Sequence, residues 1–284
     1  KIIAEAGVNH NGKISLAKKM ISAAAKFGAD YIKFQAYDVN ELLLKNTKKA
    51  RYQIDRSGRT ETQYSMLKKM QLKEEDFLLL KNFCKKKKIK FLLFFFDIKS
   101  LQLIKKLNLK EIKIPSGEIN NFLLIKEIGK LKKKIILSSG ISNLNEIKQA
   151  IKILKKNGTK LKNITVLHCN SEYPTMLKDV NMNAIKTINK FCKVNVGYSD
   201  HTIGIESSLC AVSLGASIIE KHITISKKLN GPDHAASASI NEFKYLVEKI
   251  RNVEKSLGNF KKTITKSERK NKKNVIKYIF SKTK

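Results

Sequence analysis

Two short stretches carry residue types that could do chemistry together. Val196-Gly-Tyr-Ser-Asp-His-Thr-Ile203 and Ile219-Glu-Lys-His-Ile-Thr224 each read as an apolar strand that stops at polar residues, with one histidine at its end. If the two strands are parallel neighbours, His201 and His222 converge on one point, with Ser199, Asp200 and Glu220 around it. An imidazole pair with open positions beside it suits a divalent metal that also takes a substrate oxygen. A histidine at a strand end is as often a hydrogen-bonded core residue, so both readings stay open on the residues alone.

Lysines inside apolar strands are a second signal. Lys33 sits in Tyr31-Ile-Lys-Phe-Gln35 and Lys113 in Glu111-Ile-Lys-Ile114. Burying an ammonium costs several kcal/mol unless it is paired or loses its proton. The two therefore imply an anionic ligand, or pairing with Glu5, Glu118 or Glu220. Either could instead snorkel to the rim of the fold.

The elements that must position these groups follow from hydrophobic period. Apolar strands are expected at 2–5, 31–35, 89–96, 111–114, 134–137, 164–168, 194–198 and 216–222, with helices between them that repeat at i, i+3, i+4. Eight such units predict a (β/α)8 barrel, the TIM-barrel class, over residues 1–258; a doubly wound open sheet is the alternative. A long polar segment, 36–73, interrupts the alternation, and a last helix is expected over 241–256. Residues 259–284 read as a polar, Lys-rich linker ending in one lone strand, Val275–Phe280. In a barrel the active site lies at the carboxyl ends of the strands. Those ends carry Glu5, Gln35, Ser116, Glu118, Ser138, Ser171, Tyr173 and the histidine pair.

Composition limits the functional classes. The chain has 284 residues, is 42% apolar, and its longest uncharged apolar run, Phe91–Phe96, is far too short to span a bilayer. A net charge of +34 would fit a nucleic-acid surface, but only five of the 58 basic residues are Arg and the Lys are spread along nearly every helix. Specific recognition favours Arg forks gathered on one face, so no specific nucleic-acid partner is expected, and the positive field favours a small anion. Four Cys without CxxC spacing predict core thiols in a reducing, cytoplasmic setting. No secretory signal is expected, because Lys1-Ile-Ile-Ala enters a strand directly, and the first residue is not Met.

The motifs also match a family. Ile3-Ala-Glu-Ala-Gly-Val-Asn-His-Asn-Gly12, Ile32-Lys-Phe-Gln35, Ile112-Lys-Ile-Pro-Ser-Gly-Glu118, Leu137-Ser-Ser-Gly140, Leu167-His-Cys-Asn-Ser-Glu-Tyr-Pro-Thr175, Gly197–Thr202, Glu220–Thr224 and Gly231-Pro-Asp-His-Ala-Ala-Ser237 occur in order across the barrel. In these the chain resembles the sialic acid synthases, the phosphoenolpyruvate-dependent synthases of nonulosonic acids. The resemblance implies condensation of phosphoenolpyruvate with the open-chain aldehyde of an N-acetylmannosamine-type sugar, with release of phosphate. It implies a manganese or magnesium ion on His201 and His222, and phosphoenolpyruvate contacts from Lys33, Lys113, Ser116, Ser138 and Ser199. Glu5 would handle protons, Glu118 and Glu220 would complete the catalytic set with Lys113, and Gln35, Ser171, Tyr173 and Asp233 would contact substrate. A homodimer and a small antifreeze-like C-terminal domain, of which Val275–Phe280 looks like the first strand, are also implied.

Ser171 stands where relatives often have Thr or Asn, and Leu93-Phe-Phe-Phe96 stands where the family usually has Ser-Thr-Pro-Phe. Phe94 thus replaces a phosphate-binding hydroxyl, a loss expected to cost about 1–3 kcal/mol, and its ring is expected to crowd the site. The motifs point to the neuraminic or legionaminic branch rather than the pseudaminic one. The stretch Tyr52–Leu67 favours the legionaminic side and is expected to cover the sugar as a lid. Two other readings remain: a different barrel enzyme acting on phosphoenolpyruvate or pyruvate, such as a sugar-acid synthase or a Schiff-base aldolase using Lys33 or Lys113, and a degenerate barrel that only binds anions.

Overall fold

Each apolar run pairs with the next in sequence, and the last returns to the first. The computed structural model describes residues 1–49 and 61–275. Its parallel strands are β1 (Ile2–Gly7), β2 (Tyr31–Ala36), β3 (Lys90–Phe95), β4 (Glu111–Ile114), β5 (Lys134–Ser138), β6 (Ile164–His168), β7 (Asn195–Asp200) and β8 (Ile219–Thr224). Ile2 to Glu5 of β1 run beside Ile219 to His222 of β8, which closes the sheet. The fold is a (β/α)8 TIM barrel.

Amphipathic helices cover the outside: α1 (Ile14–Lys26), α4 (Glu74–Lys86), α5 (Ile98–Lys106), α6 (Phe122–Lys130), α7 (Leu144–Lys156), α8 (Ala184–Cys192), α9 (Glu206–Ser213) and α10 (Ile240–Leu257). Helix α7 shows the logic. It buries Ile147, Ala150, Ile151 and Leu154 on one stripe, and Asn143 with Glu146 closes a reciprocal cap at its start. Among the described residues, the polar segment after β2 holds two short helices, α2 (Val39–Leu42) and α3 (Gln63–Met70). Residues 52–60 of the expected lid lie outside the described residues. After α10 the expected linker is partly helical, as the exposed α11 (Lys266–Val275). The expected strand there overlaps this helix at Val275, and the rest of it, 276–280, lies outside the described residues. A short β9 (Ala238–Ser239) pairs with Ile223 and Thr224 of β8.

Alternation along each strand divides the barrel into two cores. Outward residues such as Ile2, Ala4 and Phe34 pack under the helices. Inward residues Ile3, Tyr31, Leu92, Ile136, Leu167 and Ile218 form a separate apolar plug within the barrel. The next inward positions toward the carboxyl ends are Glu5, Lys33, Phe94, Lys113, Ser138, Ser199 and Glu220, so the polar layer rests directly on this plug.

Gly197 marks where the plug is tightest. A Cβ there would lie 2.5 Å from a Leu167 methyl and 2.6 Å from the Ile218 carbonyl oxygen. Gly197→Ala is expected to cost about 1–3 kcal/mol by overpacking. Urea unfolding should show a lower midpoint with an unchanged slope.

Candidate active site

Four inward side chains from four strands meet on the barrel axis. Lys33 Nζ lies 2.5 Å from Glu5 Oε2 and 2.7 Å from Glu220 Oε2, and Lys113 Nζ lies 2.9 Å from Glu220 Oε1. All four are buried. Ser199 donates its hydroxyl to Glu220 Oε1 at 2.8 Å. Burial opposes the charge on Glu220, but Lys113 and Lys33 outweigh it and hold its carboxyl far below the usual carboxylate range. Burial pulls Lys33 below the usual lysine range, with Glu220 opposing and Lys113 adding to the shift. Two ammoniums and two carboxylates thus balance one another's charge, as two strand lysines required. Glu118 is not among their partners.

Above this layer lie the imidazoles. His201 and His222 have ring centroids 5.5 Å apart, and Tyr173 stacks on His201 at 4.1 Å with its edge toward His222. His201 Nδ1 is 2.5 Å from the Asn170 carbonyl, which can only accept, so the proton sits on Nδ1 and Nε2 keeps a lone pair. Ser199 Oγ stands 3.3 Å from that Nε2, but its proton goes to Glu220. Burial lowers His201 to about 4 and pushes His222 well below the usual imidazole range, helped by the neighbouring His201 and Lys33. Both rings are neutral at pH 7. His222 Nδ1 and Glu5 Oε1 are buried without a hydrogen-bond partner among the described residues.

Gly7 makes room beside the imidazoles at the end of β1. It takes a left-handed φ of +50° where the register of β1 slips, and a Cβ there would lie 3.2 Å from Glu5 Oε1, 3.7 Å from His222 and 3.8 Å from Asp233.

One cavity of about 250 Å³ joins these groups, and every expected site residue except Glu118 lines it: Glu5, Lys33, Gln35, Lys113, Ser116, Ser138, Ser171, Tyr173, Ser199, His201, Glu220, His222 and Asp233. Glu118 lies in the turn after β4, where Asn121 donates to it at 2.7 Å and burial raises its pKa. Asp200, expected beside the histidines, faces the other way because it follows inward Ser199 by one residue. Its carboxylate pairs with Lys221 at 2.9 Å and accepts from Ser208 and Thr202, while Lys221 also donates to the Thr202 and Gly204 carbonyls. This outer network clamps the backbone on both sides of His201 and runs beside His222.

Cys169 also lines the cavity, with its sulfur 3.3 Å from Ser116 Oγ. As the next inward position after Thr165 and Leu167 it was findable by period, but its apolar flanks read as core. Cys210, expected as a core thiol, is exposed on α9. His168 and Ser139 sit at strand ends yet serve the backbone, bonding Val180 O at 2.7 Å and Leu167 O at 3.0 Å.

Two imidazoles with lone pairs beside an unpartnered carboxylate oxygen fit a divalent ion. Among the described residues no three His, Cys, Asp or Glu side chains are grouped to hold one alone, so water or substrate would complete its shell.

A closed parallel barrel with cationic, carboxylate, hydroxyl and imidazole groups at its carboxyl mouth defines a barrel enzyme that handles a small anion. The NeuB family profile matches residues 20–262. The chain is 47% identical to the N,N'-diacetyllegionaminic acid synthase of Campylobacter jejuni, over 99% of this chain and 84% of that protein. It is 43% identical to the N,N'-diacetyllegionaminic acid synthase of Legionella pneumophila, over 92% of this chain and 74% of that one. A crystal structure of the N-acetylneuraminic acid synthetase of Leptospira borgpetersenii, in complex with citrate, superposes with a TM-score of 0.84 at 36% identity, covering 96% of this chain and 90% of that one. The chain belongs to the NeuB family of sialic and legionaminic acid synthases. No helix among the described residues is long and apolar enough to cross a membrane.

Two measurements test the electrostatics. His10 and His234, away from the imidazole pair, are both lowered to about 4 by burial. The unfolded chain takes up these protons near pH 6.5 and the folded chain does not, so their contribution is complete above 6.5 and lost as pH falls toward 4. The unfolding free energy should fall by up to about 1.4 kcal/mol per pH unit for each histidine in that window. Lys221→Met, which leaves Asp200 buried and unpaired, should cost about 3–5 kcal/mol in urea melts, with much of it recovered in Asp200→Asn/Lys221→Met.

Proposed function

We propose that the chain condenses phosphoenolpyruvate with the open-chain aldehyde of an N-acetylmannosamine-type sugar, forming a sialic- or legionaminic-type nonulosonic acid and releasing phosphate. The observation that carries this reading is the pairing of buried Lys33 and Lys113 with a hydroxyl-lined wall in the same cavity as two neutral imidazoles. A dianionic substrate can take over the ammonium donors now spent on Glu5 and Glu220. On the hydroxyl side, Gly140 N–H donates to Ser116 Oγ at 3.0 Å, and the Ser116 hydroxyl, now beside Cys169 Sγ at 3.3 Å, can turn its proton to a phosphate or carboxylate oxygen.

Ser138 and Ser199 add donors to the same anion. Gln35, Ser171, Tyr173 and Asp233 ring the mouth and would hold the sugar with its aldehyde near the imidazole pair. Glu5 is placed to hold or pass a proton at Oε1, its unpartnered oxygen, when water adds to C2 and phosphate departs by C–O cleavage. His201 and His222 would hold a manganese or magnesium ion, which as a Lewis acid polarises the aldehyde oxygen. Glu220 keeps both lysines charged and aligned, which is the catalytic contribution its position supports.

Residues 1–258 form the synthase unit on this reading, with 259–284 as a linker and the start of an antifreeze-like domain. The high identity to two legionaminic acid synthases favours a 2,4-diacetamido-trideoxymannose over N-acetylmannosamine as the sugar. The same reading takes the working protein as a cytoplasmic homodimer.

The test is phosphate release from phosphoenolpyruvate with each of these sugars, with and without manganese. Release is expected with at least one sugar and should drop at least about 100-fold in Lys113→Ala and in His201→Ala. Borohydride with pyruvate should leave the mass of the chain unchanged. A trapped adduct on Lys33 or Lys113, or no release with either sugar, would overturn the synthase reading.

A further inference from the structure

The wall that β3 contributes to the cavity is aromatic. Phe94 stands in register between Gln35 on β2 and Lys113 on β4, and its ring centroid lies 4.6 Å from Lys33 Nζ. Phe96 meets that ring edge-on at 5.5 Å and limits its tilt. The Lys33 ammonium lies 2.5 Å from Glu5 Oε2 and 2.7 Å from Glu220 Oε2, in ion-pair contact with both. The charged groups facing it are Glu5 from β1, Glu220 from β8 and Lys113 from β4. Both carboxylates draw the ammonium toward the β1–β8 side, and Lys113 repels it. An aromatic face attracts a cation through its quadrupole without accepting a directed hydrogen bond.

We propose that Phe94 is a positioning residue for the anionic substrate: its ring face gives the Lys33 ammonium a second attraction, directed away from Glu5 and Glu220, so that the ammonium can turn from those carboxylates to a phosphate or carboxylate oxygen of the incoming anion. Crowding by the ring is then a functional contact of the site. With an aliphatic side chain in its place that opposing attraction is lost, and the incoming anion must draw the ammonium from Glu5 and Glu220 unaided. This rests on phosphoenolpyruvate being the anion, as in the synthase reading.

The test is calorimetric titration of the intact chain with phosphoenolpyruvate alone, for the wild type, Phe94→Leu, Phe94→Met and Phe94→Tyr, followed by steady-state kinetics with the accepted sugar. Urea midpoints confirm that each variant is folded. The ring-free Leu and Met variants should weaken phosphoenolpyruvate binding about 5- to 30-fold, whereas Phe94→Tyr stays within about threefold. The KM for the sugar and kcat should move less than about twofold, a split that a general disturbance of the barrel would not produce. Wild-type affinity in both ring-free variants would overturn the proposal. So would a loss in Phe94→Tyr equal to theirs, an equal rise in the sugar KM, or a wild type that binds no phosphoenolpyruvate. Phosphoenolpyruvate binding without phosphate release from any sugar would sink the synthase reading, while the ring dependence would still decide the proposal.

Discussion

The interaction on which the rest depends is the buried charge cluster in which Lys33 sits between Glu5 and Glu220, with Lys113 on the far side of Glu220. Each charge alone would cost several kcal/mol to desolvate, and removing any one leaves another uncompensated. Their four strands must therefore hold register closely, and Glu5 and Glu220 lie on the two strands whose pairing closes the barrel. Replacing such a cluster by apolar residues often stabilises a protein. Its presence above a well-filled apolar plug is more readily understood as preparation for an anion than as a source of stability.

Strand alternation distributes the work between the two faces. Inward positions on β7 and β8, and the residue just past β7, carry Ser199, Glu220 and the imidazoles, while the residues beside them, Asp200 and Lys221, form a fully bonded ion pair under α9. The outer pair fixes backbone, and the inner groups are left short of partners. Glu5 Oε1 and His222 Nδ1 lack a hydrogen bond where a ligand would come. The loops follow the same division. Asn9 ties the loop after β1 to the Ile223 carbonyl and Ser237, and His234 bridges Thr224 and Asn11, so the segment bearing Asp233 is anchored from both sides.

Family membership and geometry support each other at different levels. The relatives bear on the class of reaction, and the distances bear on which side chain faces which. Phe94 illustrates the difference. As a sequence departure it reads as a lost hydroxyl, whereas in the barrel its face is turned to an ammonium that is also paired with two carboxylates.

Much of this was legible in the residues. Hydrophobic period determined eight strand-helix units and so a barrel, because a strand buried on both faces and a helix buried on one leave different repeats. The strand lysines determined that carboxylates or an anion must lie near them, because an unpaired buried ammonium is too costly. What the sequence could not decide was direction and partner. It placed Asp200 with the histidines and offered Glu118 as a partner for the lysines, while treating Cys169 as core. Only the closed sheet, by setting which residues point inward and which carboxylates lie within 3 Å of Lys33 and Lys113, turned Asp200 outward, left Glu118 in its turn and brought Cys169 to the cavity. Those outcomes depend on contacts between residues up to two hundred positions apart, which local pattern does not encode.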